Sequence, residues 1–577
     1  MTAPDRRWLS QYPATVPHEI DTGRFATLVE LAEAAFAKYG ERPAYRSMGV
    51  AMSYAQVDLA SRRFAAYLQS LGLGKGTRVA IMMPNCLQYP IALFGILRTG
   101  CTVVSVNPLY TARELEHQLV DSGAEAIVVL ENFAGVLAEV VARTRVKHVV
   151  VSGLGDQLGL LKGRVVNLVV RRVKKLVPPY SLPGHVKFNA ALSIGAGKPF
   201  SKAAITPDDL AFLQYTGGTT GVSKGAMLLH RNIVANVLQC AAWYQPALQK
   251  IPEGTQIVKV TALPLYHIFA LTACALLGMQ IGACLLLLPN ARDLPAVCKA
   301  LKQQPFHVLP AVNTLFNALL NHPDFADVDC RALILSVGGG MAVQGPVARR
   351  WLERTGCAII EGYGLSETSP TATCNPTDAI EYTGTIGLPV PNTDISIRDD
   401  AGATLGIGET GEICIRGPQV MAGYWNQPAE TARAMTADGY FKSGDIGIMD
   451  DRGYTRIVDR KKDMILVSGF NVYPNEVEEV VAGCPGVQEV AAIGVPDLHS
   501  GETVKVYVVR MSNDAGRQLG EQQVLDYARG QLTGYKRPRT VEFCDSLPKT
   551  NVGKILRREL RDSALRKIAE QDAQTAS

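Results

Sequence analysis

The densest chemistry in the chain lies between Tyr215 and Ala226, which read Tyr-Thr-Gly-Gly-Thr-Thr-Gly-Val-Ser-Lys-Gly-Ala. Gly217, Gly218, Gly221 and Gly225 let the backbone fold tightly and bring N–H groups up to an anion. Thr216, Thr219, Thr220 and Ser223 add hydroxyl donors, and Lys224 adds a charge; Tyr215, Val222 and Ala226 complete the stretch. Together they suit a polyphosphate. A strand-like run, Leu210 to Gln214, precedes it and a helix-like run, Arg231 to Leu238, follows. Lys224 stands between Ser223 and Gly225, which breaks the G-x-x-x-x-G-K-[ST] pattern and disfavours a P-loop NTPase. A plain linker rarely interleaves threonines and a lysine this densely.

Further groups follow in order. Gly338-Gly339-Gly340 ends a strand-like run, where a flat ring can approach bare backbone. Glu361-Gly362-Tyr363-Gly364-Leu365-Ser366-Glu367 follows the next strand. It offers an aromatic face, a hydroxyl and a carboxylate at a strand's C-terminal end, where α/β sheets place ligands. Asp445 lies in Phe-Lys-Ser-Gly-Asp-Ile-Gly, a tight loop suited to two sugar hydroxyls. Arg460 opens a compact charged break, Arg460-Lys461-Lys462-Asp463. Lys554 ends the loop Lys-Thr-Asn-Val-Gly-Lys. His267 sits in Pro-Leu-Tyr-His-Ile-Phe-Ala, although a lone histidine is more often packed core.

The frame that must hold these groups reads as α/β. Arg78 to Met83, Cys101 to Val106 and Ala126 to Leu130 are apolar strand runs separated by helical stretches, and the pattern resumes from Ile257 to Glu361. Such spacing implies βαβ units and parallel sheets covered on both faces. From about residue 380 to 459 the text becomes short strands with Gly/Asp turns, a β-rich subdomain. The expected division is a body over 1–459, a hinge at 460–463 and a small mobile α+β module over 464–577.

Composition bounds the rest. The chain has 577 residues, enough for several modules around a large core. Lys plus Arg exceeds Asp plus Glu by five, too dilute for a nucleic-acid binder. The twelve cysteines form no C-x-x-C pair, which points to reduced, buried thiols rather than a zinc site or a disulfide framework. The N-terminus lacks an apolar core and no run reaches a spanning length, so a cytoplasmic protein is expected, soluble or resting on the inner face of the cytoplasmic membrane. A homodimer is compatible with the sequence.

One segment stands apart. Gly159 to Val177 carries Lys162, Arg164, Arg171, Arg172, Lys174 and Lys175 and no acid, with Leu161, Val165, Leu168, Val169, Val173 and Leu176 at three- and four-residue steps. As a helix it has an oily stripe and a basic face. Two readings stand: a helix lying on an anionic membrane surface, or a surface helix docked on the body.

The ordered set of phosphate loop, Tyr-Gly-x-Ser-Glu segment, Ser-Gly-Asp loop, Asp-Arg-Lys-Lys-Asp hinge and terminal Gly-Lys resembles the adenylate-forming superfamily of acyl-CoA synthetases, luciferases and adenylation domains. Trp8 to Pro17, Asn107 to Tyr110, Pro264 to Ala270, Val337 to Met341 and Val458 to Glu476 are most similar to bacterial long-chain fatty acyl-CoA synthetases. The resemblance implies an AMP-binding body and an ATP-dependent ligase that forms an acyl-adenylate, releases pyrophosphate and passes the acyl group to coenzyme A, feeding fatty acid degradation. A ligase for medium-chain or aryl acids is the alternative. A non-catalytic binding protein would be expected to lose a charge at Lys224, Glu367, Asp445 or Lys554, and all four are present.

Residue by residue, the resemblance implies that Thr216 to Lys224 wrap the β- and γ-phosphates, that Glu367 holds Mg²⁺ with Thr216, and that adenine lies between Gly339-Gly340 and Tyr363. Asp445 would take the ribose hydroxyls beside Arg460. Lys554 would bridge the carboxylate and the α-phosphate, with His267 near the substrate carboxylate. Lys462 would be the pivot that brings Ser468, Gly469 and Phe470 to the coenzyme A channel. Val308 to Leu320 and Phe269 to Leu277 either line an acyl tunnel or are plain core. Leu271 occupies the place of a tryptophan gate found in some relatives, which puts such a gate in doubt.

Overall fold

A computed structural model describes residues 6–216, 223–497, 499–550 and 553–575. Two large sheets form the body. In the first, Pro43–Ser47, Cys284–Leu287, Val258–Thr261, Val308–Ala311, Leu335–Gly338 and Ile359–Gly364 run parallel, in non-sequential order. Val50–Ser53 closes one edge antiparallel; Thr371–Cys374 and Leu388–Pro389 close the other. In the second sheet Val186–Lys187, His148–Ser152, Ala126–Leu130, Arg78–Met82, Thr102–Ser105 and Leu210–Thr216 are parallel. The strands Val79–Met82 and Ala126–Leu130 are buried on both faces, which is why they read as unbroken apolar runs rather than alternating ones.

The glycine–threonine stretch is framed differently from the expected strand–loop–helix. Lys224–Leu229 is a strand, antiparallel to Leu210–Thr216, with Thr216 opposite Lys224 and Tyr215 opposite Gly225. The two ends of the segment therefore lie on paired strands, and the helix His230–Trp243 begins only after the second strand. Gly217 to Val222 lie outside the described residues.

The β-rich part is a four-stranded antiparallel meander, Asp394–Arg398, Gly411–Arg416, Phe441–Met449 and Thr455–Arg460. Asp445 sits on the third strand opposite Arg460 on the fourth, so the register itself brings the two together. The chain turns at 461–463 and enters a five-stranded sheet built from Ile465–Val467, Phe470–Val472, Val487–Asp497, Gly501–Arg510 and Thr540–Phe543. That sheet packs its own cluster, including Val472, Val477, Val490, Val506, Val508 and Val524.

Arg557 ties the turn at 461–463 to the helix Pro474–Ala482 and to the strand before that turn. Its guanidinium donates to Glu478 at 2.6 and 2.9 Å and lies 3.5 Å from both Asp459 and Asp463. Burial pushes the Asp459 carboxyl up to about 6, against the pull of Arg557 and of N–H donors from Asn475 and Arg460.

Candidate functional site

A cavity of about 1210 Å³ opens where the parallel strands end and the C-terminal module closes over them. The strand Ile359–Gly364 delivers Gly362, Tyr363 and Gly364 to its wall, and the short turn Ser366–Thr368 delivers Glu367. A Cβ on Gly364 would sit 1.7 Å from the Pro370 carbonyl, so no larger residue fits there. Gly339 and Gly340 line the same cavity. A Cβ on Gly339 would meet the Gly362 carbonyl at 3.0 Å and the Phe269 ring at 3.1 Å, and Gly340 has φ +78°.

The charged groups are tightly linked. The Tyr363 hydroxyl donates to Asp445 Oδ2 at 2.7 Å, and Arg460 Nε lies 3.3 Å from Asp445 Oδ1. The Tyr424 hydroxyl donates to Glu367 Oε1 at 2.8 Å. Burial raises the Glu367 pKa above the ordinary carboxylate range, offset in part by Tyr424 and Arg460. Lys554 enters from the module. Burial drives its ammonium down to about 8; Arg460 and Lys462 repel it while Asp445 and Glu367 hold it charged. Lys462 is lowered to about 8 as well, first by burial and then by Arg460.

His267 caps the first turn of Ile268–Ala270, its Nδ1 accepting from Phe269 N–H at 3.3 Å. Burial, and then Lys554, lower it to about 3, so the ring is neutral at physiological pH and carries its proton on Nε2.

Several expected positions meet in this cavity: Tyr215, Thr216, Lys224, Gly339, Gly340, Gly362, Tyr363, Gly364, Ser366, Glu367, Asp445, Arg460, Lys462, His267 and Lys554 all line it. Others do not. Gly225 packs against the Tyr215 ring and Ala226 is fully buried in its strand, so they shape the hairpin rather than the cavity. Glu361 turns away and accepts from Val343 N–H at 3.0 Å; burial raises it to about 8, with Glu479 adding to the shift. The Ser223 carbonyl faces His117 Nε2 at 3.1 Å. Ser468, Gly469 and Phe470 form an exposed hairpin turn outside the cavity, with Phe470 stacked on Tyr535. Ser468 and Gly469 have φ +51° and +81°, so glycine is favoured there by the turn in this pose.

The apolar arm of the cavity meets expectation only in part: Phe269 and Ala273, from the stretch Phe269 to Leu277, line it. The rest of its lining comes from Cys240, Trp243, Tyr244, Val337, Cys374 and Val390, whereas Val308 to Leu320 contributes none of the lining. Leu271 is fully buried core, so it is no gate. Trp243, anchored by its Nε1–H to the Asn375 carbonyl at 3.0 Å and edge-on to Tyr12, lines the cavity.

Two residues the motifs did not flag meet Lys224. Lys224 is ion-paired with Glu430 from the helix Pro428–Ala434, and its ammonium lies 5.3 Å from the centre of the Tyr424 ring. Both partners come from the segment after residue 420, which only the tertiary fold brings back to the hairpin.

Residues 32–425 match the model of the AMP-binding enzyme family, and residues 476–554 match that of the AMP-binding enzyme C-terminal domain. The chain belongs to the AMP-binding enzyme family. Within it, the chain is 54% identical over 562 residues to a long-chain-fatty-acid–CoA ligase of Escherichia coli O157:H7, covering 97% of this chain and 99% of that protein. It is 55% identical over 570 residues to a long-chain-fatty-acid–CoA ligase of Yersinia pestis, covering 99% of this chain and all of that protein. The solved structure of an ATP-bound RpMatB–BxBclM chimera superposes with a TM-score of 0.78 at 29% identity, covering 93% of this chain and 98% of the other.

The Lys224–Glu430 pair occupies the cation that a polyphosphate would need. Glu430→Gln is expected to lower the KM for ATP by about two- to fivefold, the worth of one partly exposed ion pair. Steady-state kinetics across an ATP series checks this; an unchanged or higher KM counts against Lys224 as a phosphate ligand.

Proposed function

We propose that the chain is an ATP-dependent long-chain fatty acid–CoA ligase. The observation that carries this reading is Lys554, delivered by one module into a cavity whose other walls hold Glu367, Asp445, Arg460 and His267 and which continues into an apolar arm. Kinship at more than half identity with ligases of that substrate class supports it.

In the first step a fatty carboxylate oxygen attacks the α-phosphorus of ATP. The new P–O bond gives an acyl-adenylate, and the bond to pyrophosphate breaks. Two anions must meet, so alignment and charge neutralisation matter more than proton transfer. Lys554 neutralises the approaching carboxylate and α-phosphate. Neutral His267 donates from Nε2 to the carboxylate without repelling Lys554. Asp445 accepts the ribose hydroxyls, held by Tyr363 and Arg460. The adenine lies against Gly339-Gly340 and Tyr363, and Thr216 to Lys224 take the β- and γ-phosphates.

Glu367 fits a Mg²⁺ ligand. It is buried, faces the cavity and has a raised pKa, which an added cation would offset. Among the described residues no group of three or more His, Cys, Asp or Glu could hold a metal, so phosphate oxygens and water would supply most of the shell. Bound there with Thr216, Mg²⁺ would neutralise phosphate charge.

The module over 464–577 then has to move. Lys462 serves as pivot, Lys554 leaves, and Ser468, Gly469 and Phe470 approach the channel for coenzyme A. The thiol sulfur attacks the acyl carbonyl, the thiol proton is lost and AMP departs with the bonding pair. Incubation with ATP, coenzyme A and an acid series from benzoate to palmitate is expected to yield AMP, pyrophosphate and acyl-CoA, fastest with long chains. ADP as product, or a maximum at the short or aryl acids, refutes the reading. Lys554→Ala is expected to lower acyl-adenylate formation about a hundredfold or more while acyl transfer from supplied adenylate persists.

The substrate's source is the second part of the proposal. No helix among the described residues is long and apolar enough to cross a membrane. The basic segment forms a helix, Leu160–Leu168, continued by a wider turn at Val169–Val173. It docks on the body through Gly163 and Val170, while Leu160 and Leu161 are 79% and 82% exposed and Val165, Leu168, Val173 and Leu176 also face out. Arg171 is paired with Glu131, but Arg172, Lys174 and Lys175 are exposed beside these apolar side chains. An oily stripe flanked by cations suits an anionic bilayer surface, where the acids dissolve. Charge reversal at Arg172, Lys174 and Lys175 is expected to abolish sedimentation with vesicles containing phosphatidylglycerol and leave turnover of short soluble acids intact. Equal sedimentation of both proteins would refute it.

A further inference from the structure

The body helix Gly345–Thr355 has no cap of its own. Its N-cap residue, Gln344, makes no capping bond through its side chain. The missing acceptor comes from the other module. Glu479, on the helix Pro474–Ala482, accepts the Gly345 N–H at 3.1 Å through Oε1 and 3.3 Å through Oε2. A carboxylate at that end of a helix satisfies a free N–H and meets the positive end of the dipole. Glu479 is exposed on its other side and faces Arg349, the next charged group on that helix.

The contact is close to the nucleotide platform. Gly339 and Gly340 line the cavity, and five residues later comes Gly345. The stretch between is held taut: Val343 N–H donates to Glu361, the Val343 carbonyl accepts from the Tyr382 hydroxyl at 2.6 Å, and Gln344 N–H donates to Asn313 at 3.0 Å. One short, fixed segment therefore touches the nucleotide platform at one end and the mobile module at the other. Two further bonds cross the same junction, Asn317 Nδ2 to the Gln488 carbonyl at 2.8 Å and Thr314 Oγ1 to the Gly553 carbonyl at 3.3 Å. The second adjoins Lys554 itself.

We propose that Glu479 is a positioning residue for the first half-reaction: by capping the body helix it holds the module in the pose that places Lys554 in the cavity, and it must release before acyl transfer. The inference rests on the ligase reading above. Glu479 touches no substrate. It acts through the position of Lys554.

The body side offers an independent probe. Gly345 does not adopt a left-handed conformation, so alanine is allowed there, yet its Cβ would lie 2.7 Å from Glu479 Oε1. Gly345→Ala should push the carboxylate off the helix without altering a charge.

The test uses the full chain and two separate assays, fatty-acid-dependent ATP–pyrophosphate exchange and acyl-CoA formation from supplied palmitoyl-adenylate. Glu479→Ala is expected to slow exchange about threefold to thirtyfold, the range for loss of a helix cap. Acyl transfer should stay within about twofold of the parent. Gly345→Ala should reproduce the loss, Glu479→Gln should restore part of it, and Gly345→Ala added to Glu479→Ala should cost nothing more. Unchanged exchange, an equal fall in both assays, or additive losses in the double variant would overturn the proposal. A parent enzyme that shows no fatty-acid-dependent exchange would instead overturn the ligase reading, before any variant is compared.

Discussion

Enclosing an excess of positive charge is the constraint on which this site depends. Lys554, Lys462 and Arg460 converge on two buried carboxylates, Asp445 and Glu367, while Lys462 and Arg460 keep an exposed side. The carboxylates do not fully compensate, and both lysines are driven down to about 8. A polyanion relieves that strain. On the proposed reading phosphate would complete the cavity, and closure of the C-terminal module and the arrival of nucleotide would favour each other.

The fold supplies this arrangement by placing loops at strand ends and the C-terminal module over them. Parallel strands bring Gly339, Gly340 and Tyr363 to one edge, and antiparallel register sets Asp445 opposite Arg460. The hinge follows at once, so Arg460 belongs to the body's meander while its immediate neighbours lead into the module. Arg557 and Glu479 then brace that module from two sides, one at the hinge and one at the body helix.

Much of this was legible in the sequence. Runs such as Ala126–Leu130 and Gly411–Arg416 announce buried strands because apolar continuity and flanking turns agree. The charged site positions were legible because each sits in a short local pattern. What the sequence hid depends on contacts between distant segments. Lys224–Leu229 reads as the tail of a glycine loop, since a six-residue strand with glycine in second place carries little alternation; only pairing with Leu210–Thr216 defines it. Glu361 looks like a site carboxylate by its neighbours, yet its side chain turns to Val343. The wall formed by Cys240, Trp243 and Tyr244 lies at the end of an ordinary buried helix, and nothing in its period tells which cavity it faces. Tyr424, Glu430 and Glu479 share that difficulty: each acts on a partner from 57 to 206 residues away.

The enclosed lysine can be read directly as protons. Titration calorimetry of ATP binding at pH 8, repeated in buffers of different ionisation enthalpy, measures net proton uptake. With Lys554 and Lys462 both near half-charged in the free protein, uptake of up to about one proton per ATP is expected, and the share that belongs to Lys554 should vanish in Lys554→Met. Binding without proton uptake, or the same uptake in the parent and in Lys554→Met, would contradict an enclosed Lys554 that is completed by the nucleotide.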